Sequence, residues 1–183
     1  MKSNYLAEFL AANLTNEFGN SDKVTLLLDD CRKLKVPVKI PDVNHPSVKF
    51  TVEDEQIVFG MSAIKNVGIA AVEEIERVHK KLGRNFTSIY DFTSNVDTRA
   101  VNKRALEGLV SAGAFDSVKG TRAQNFSAIE HSLSFGSKVQ AASLSKVDSL
   151  FENVEEAMKI EEPELLKGEE WTHKEQLTKE REL

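Results

Sequence analysis

The sequence predicts a mainly α-helical protein with one small β-hairpin, and three observations in its 183 residues predict it. Apolar residues recur at helical spacing before residue 35 and again after residue 60. Between those stretches, two short runs flank Glu53-Asp54-Glu55 in the manner of paired strands. Two glycines, Gly68 and Gly113, interrupt apolar helical runs that resume almost at once.

Taken in order, Tyr5, Leu6, Phe9, Leu10 and Leu14 fall on one face of a first helix. Val24, Leu27, Leu28, Cys31 and Leu34 fall on one face of a second, and Gly19-Asn20-Ser21 separates the two with Asn20 or Ser21 as N-cap. Pro37 and Pro41 push their predecessors out of the α region, so residues 36–41 are extended. Residues 48–52 and 56–60 then form the hairpin. From Met61 onward only helix is expected, over 61–66, 69–82, about 87–94, 99–111, and 121 into the 130s. Gly83 suits a C′ position and Asp97 or Thr98 an N-cap. The Ser- and Ala-rich stretch that follows has little periodicity and reads as a flexible linker, with a last helix starting near Thr172. The organisation is thus 1–59, helices plus hairpin; 60–135, a helical cluster; and 136–183, linker and acidic tail.

Composition excludes several classes. No apolar run approaches the ~20 residues of a membrane span, and the amino terminus lacks a cleavage site for a signal peptide, so a cytoplasmic protein without membrane partners is expected. A single cysteine permits no intrachain disulfide, and four scattered histidines offer no metal spacing. No nucleophile elbow or phosphate-binding loop is present, and the adjacent carboxylates of Asp29-Asp30 and Glu73-Glu74 diverge on a helix. No catalytic residue, metal ligand or cofactor is assigned to the chain, which reads as a binding module.

Net charge is −5, yet unevenly placed: residues 60–125 hold 10 basic against 7 acidic side chains, whereas 148–183 hold 5 against 12. The basic segment contains both glycine corners, 45 residues apart, as a degenerate repeat. At such a corner the restarting helix has unpaired N–H groups suited to an anion. Lys65, Asn66, Val67, Gly68 and Ile69 make the first candidate site, with Gly68 expected at positive φ. Lys103, Arg104, Gly113, Lys119 and Arg122 make the second. Lys103 and Arg104 are neighbours and diverge on a helix, so one is expected to face the ligand while the other pairs with Asp97 or Glu107. Cations flanking exposed amides suit nucleic-acid phosphates, contacts that position a duplex without reading its bases.

The segments YLAEFLAANLTNE, PDVNHP, FTVEDEQIVFGMSAIKNVG, FTSIYDFTSNVD and VNKRALEGLVSAGAFD, in that order and spacing, resemble the bacterial replicative DNA polymerase III alpha subunit family. The resemblance implies a fragment: a helical remnant of the fingers, then a tandem helix-hairpin-helix region that grips duplex DNA. It implies no counterpart here of the metal-binding palm, so polymerisation, with its Mg, belongs to the rest of the polymerase chain. The family also places a sliding-clamp motif after the hairpins, and Val147, Asp148, Ser149, Leu150 and Phe151 fall at the matching place with Val147 where glutamine is expected. Two alternatives are a free-standing helix-hairpin-helix repair protein and a helical protein-interaction module without nucleic acid. The fingers-like amino end argues against the first; the negative charge favours the second.

Overall fold

A computed structural model of the chain describes residues 2–17, 19–148, 162–165, 171, 172, 175 and 178. Two helices, α1 (Lys2–Asn16) and α2 (Ser21–Lys33), precede three short strands, β1 (Val38–Lys39), β2 (Thr51–Glu53) and β3 (Gln56–Val58). A 3-10 turn at Met61–Ala63 leads into α3 (Ile69–Leu82), α4 (Ile89–Asn95), α5 (Lys103–Ser111) and α6 (Arg122–Asp148). Asn20 caps α2, its side chain accepting the Lys23 N–H at 3.2 Å. The expected hairpin is antiparallel β2–β3, turning through Asp54 and Glu55, both at positive φ. The extended prolyl segment adds β1, parallel to β3 with Val38 opposite Ile57.

Two apolar clusters form. The first gathers Ala7, Leu10, Ala11, Leu14, Val24, Cys31, Phe50 and Ile57 between α1, α2 and the sheet. The second joins α3 to α6 around Phe86, Phe92 and Phe115, whose rings meet edge to face at 5.0 Å each. Phe59 packs against both. The residues between β1 and β2 fasten the two parts. Val43 is fully buried in the second cluster and its N–H donates to the Ala114 carbonyl. The buried Asn44 amide accepts the Phe86 N–H at 2.7 Å and donates to the Phe86 carbonyl and to Ser117 Oγ.

The helix expected over 61–66 is only a 3-10 turn, Met61–Ala63, because Ile64 is already extended, and three further expectations differ from the structure. In α1 the small residues Ala7 and Ala11 lie with Leu10 and Leu14 against the sheet, leaving Tyr5 80% and Phe9 63% exposed instead of on the buried face. The α5 cap is Asn102, not Asp97 or Thr98; its side chain accepts the Ala105 N–H, while Asp97 closes the turn before it. The linker expected from residue 136 is helical to Asp148. Its low apolarity misled because this helix packs by closeness: a Cβ on Gly136 would strike the Thr93 backbone. Ser127, Ser137 and Ser143 donate their hydroxyls to the carbonyl one turn back, so serine does not break the helix. Residues 149–151 of the expected clamp motif lie outside the described residues, as do the side chains of Val147 and Asp148.

Arg84 grips Asp91 through two hydrogen bonds of 2.7 and 2.9 Å, tying the loop after α3 to α4. Burial pushes the Asp91 carboxyl upward, but Arg84 and the Thr87 N–H outweigh it and hold it below the usual carboxylate range. A carboxyl depressed in the folded state contributes stability above its unfolded pKa, and that contribution disappears as pH falls through the folded value. The urea midpoint is expected to drop between about pH 5 and pH 2 by less in Asp91→Asn than in the wild type. Equal drops would show that this ion pair is not among the acid-sensitive contacts.

Candidate nucleic-acid interface

The first corner runs from Ile64, extended, through Lys65 and Asn66 to Gly68. Its positive φ belongs to Asn66, at 66°, and not to Gly68, which caps α3 in extended geometry at φ −76°. The Val67 N–H donates to the Ile64 carbonyl at 3.0 Å, closing a turn of type II in which Asn66 holds the left-handed position that asparagine tolerates. Val67 is therefore an internal residue: its side chain is buried and its N–H is engaged.

The next three N–H groups, of Gly68, Ile69 and Ala70, have no acceptor among the described residues, and all three residues are exposed. Ala70 was missed by sequence reasoning, although counting forward from the cap reaches it. Nothing lies within 4 Å of where a Gly68 Cβ would point, so the cap faces open space.

The second corner is built differently. Gly113 takes φ 85° and closes α5 as a Schellman motif, its N–H donating to Val110 O and that of Ala114 to Leu109 O. Gly113 is buried, with the Arg122 guanidinium lying where its Cβ would be. Arg122 holds Asp116 at 2.6–3.1 Å and its side chain is only 14% exposed. These two predicted site residues are thus the inner fastening of the corner. Lys119 is exposed, and its N–H donates to the Thr87 carbonyl.

What joins the two halves of the site is Gly108, in the middle of α5. A Cβ there would lie 2.7 Å from the Lys65 carbonyl and 3.3 Å from Ile64 Cγ2, so the first corner rests directly on α5. Arg104 is four residues before Gly108, one turn toward the amino end of α5 on the same face. It is exposed and has no ion-pair partner among the described residues. Lys103 projects about 100° away, where it pairs with Glu130 on α6 and, at 4.0 Å, with Glu107. The expected divergence is therefore found, with Glu130 as the chief partner that sequence did not reveal. The first turn of α5 holds no acidic residue, so the positive end of its dipole adds to the Arg104 charge.

Among the described residues, no three His, Cys, Asp or Glu side chains converge as a metal site, and no helix is long and apolar enough to cross a membrane.

A first corner that leads into α3 and is seated on Gly108 of α5, and a second that closes α5, make up the helical framework, and residues 35–125 match the helix-hairpin-helix motif family. The chain is similar to DNA polymerase III subunit alpha of Thermus aquaticus, 40% identical over 161 residues, which is 88% of this chain and 13% of that protein. It is likewise similar to that subunit in Neisseria meningitidis serogroup A, 35% identical over 99% of this chain and 16% of the relative. Against the Vibrio cholerae subunit it is 33% identical over its whole length, again 16% of the relative. The chain belongs to the family of DNA polymerase III alpha subunits and spans 13 to 16% of the length of these relatives.

Proposed function

We propose that this region holds duplex DNA by its phosphate backbone, with the Gly68, Ile69 and Ala70 amides taking a phosphate between Lys65 and Arg104. The observation that supports this is the run of three exposed N–H groups at Gly68, Ile69 and Ala70 without an acceptor among the described residues, on a corner seated on Gly108 of the same helix that carries the exposed Arg104. Amides and cations aimed at phosphates are blind to base sequence, which suits a polymerase that moves along every template. Nucleotidyl transfer would then belong to the larger polypeptide, and this region would contribute to keeping that polypeptide on its product duplex.

The test is titration of a labelled duplex at several salt concentrations. Affinity is expected to fall linearly in a log–log plot, and Arg104→Glu to reduce the slope by about one, with little change for Lys103→Glu. Binding indifferent to salt would favour a protein-interaction module, and an unchanged slope for Arg104→Glu would remove α5 from the interface.

A further inference from the structure

Beyond α6, Leu165 of the acidic tail lies against the loop that follows the second corner. Leu165 packs into the apolar cluster, its Cδ1 resting on Gly120 in the space a side chain there would need. Gly120 itself takes φ 102°, immediately before α6. Trp171 meets Phe126 of α6 edge to face at 5.4 Å. Glu162 lies close enough to Tyr90 that, after burial, its charge helps raise the phenol pKa. Leu165 thus rests on the loop that leads into α6, while Glu162 lies by α4 and Trp171 by α6.

Beside the Leu165 contact is Asn125, 1% exposed, with neither Oδ1 nor Nδ2 hydrogen-bonded. Its Oδ1 lies 3.2 Å from the place of a Gly120 Cβ, so the unpartnered amide lies beside the exposed glycine that Leu165 touches. A buried amide with no partner is unfavourable, so a polar group that reached Asn125 would gain a hydrogen bond now missing. The loop also presents the exposed Lys119, one residue from Gly120, just as Glu164 is one residue from Leu165. Residues 148–183 carry 12 acidic side chains against 5 basic, so the covering segment has the sign of the ligand the corner would take.

We infer that residues 162–165 form an autoinhibitory strap, an acidic occupant of the second corner that duplex DNA must displace before a phosphate reaches Gly120 and Asn125. This rests on the DNA-binding reading above and adds its regulation. The strap and the phosphate backbone compete for one loop, and the unsatisfied Asn125 keeps the closed state from being strongly favoured.

Trp171 is the only tryptophan in the chain and reports on the strap directly. The experiment uses the full chain and a fluorescein-labelled duplex, reading anisotropy for binding and Trp171 emission for strap release. In the wild type, Trp171 emission is expected to shift to the red in step with DNA saturation. Leu165→Asp should show the shifted emission without DNA and bind roughly tenfold tighter, a difference of ~1.4 kcal/mol. Leu165→Ala should lie between, and Asn125→Ala in the Leu165→Asp background should lose the gain. The inference is overturned if Leu165→Asp releases Trp171 yet binds as the wild type does, if its emission is unchanged, or if the Asn125→Ala double variant keeps the gain. Absence of duplex binding in both wild type and Leu165→Asp would instead remove the DNA-binding reading itself.

Discussion

Replacing Gly108 with valine is expected to unseat the first corner and with it the ability to bind duplex DNA. Even the first added carbon would lie 2.7 Å from the Lys65 carbonyl, a backbone atom that cannot rotate aside. The Ile64 and Val67 methyl groups at 3.3 and 3.4 Å leave no second direction of escape. Overpacking of this kind costs about 1–3 kcal/mol and more where backbone must move, so a loss of ~3 kcal/mol is expected for valine and a smaller one for alanine. Because the same contact sets how the corner with its open amides lies on α5, duplex affinity should fall further than stability alone explains. Urea unfolding paired with a duplex titration would decide this: full stability with unchanged affinity in Gly108→Val would show that the corner does not depend on α5.

Asn44→Ala should be comparably damaging, for a different reason. Its amide satisfies both the N–H and the carbonyl of Phe86, which is 2% exposed, and also reaches Ser117. Truncation strands two buried backbone groups, each worth about 1–3 kcal/mol. A total near ~3 kcal/mol would lower the melting temperature by about 6–12 °C. Asn44→Asp keeps the acceptor and loses the donor, so it should fall between wild type and alanine. If alanine melted within about 2 °C of wild type, a shift worth less than ~1 kcal/mol, the fastening role of the segment between β1 and β2 would be disproved.

The elements visible in the sequence were those whose signal is local. The β-hairpin and the caps at Asn20 and Gly83 each follow from a residue whose own backbone or side chain determines the outcome. At the first corner two residues, Asn66 and Gly68, each suited the left-handed position, and local chemistry did not choose between them. Other features are set by distant partners. The pairing of Lys103 with Glu130 joins residues 27 apart, and the length of α6 depends on Gly136 meeting Thr93. Gly108 was legible in principle, since a glycine inside a good helix costs about 1 kcal/mol relative to alanine and so signals a close approach.

One consequence follows from the unbroken course of α6. Gln140 donates to the carbonyls of Thr93 and Val96 at the end of α4, at 3.1 and 2.8 Å, so the helix is pinned well along its length. Its 27 residues rise about 40 Å at 1.5 Å each, whereas a flexible chain of that length would average roughly 30 Å between ends and sample all shorter distances. The second corner and Asp148 are therefore the two marks of a ruler. Whatever follows Asp148 starts at a set distance from the second corner, and inserting or deleting a full turn in the exposed part of α6 would change that distance by about 5 Å without altering either end.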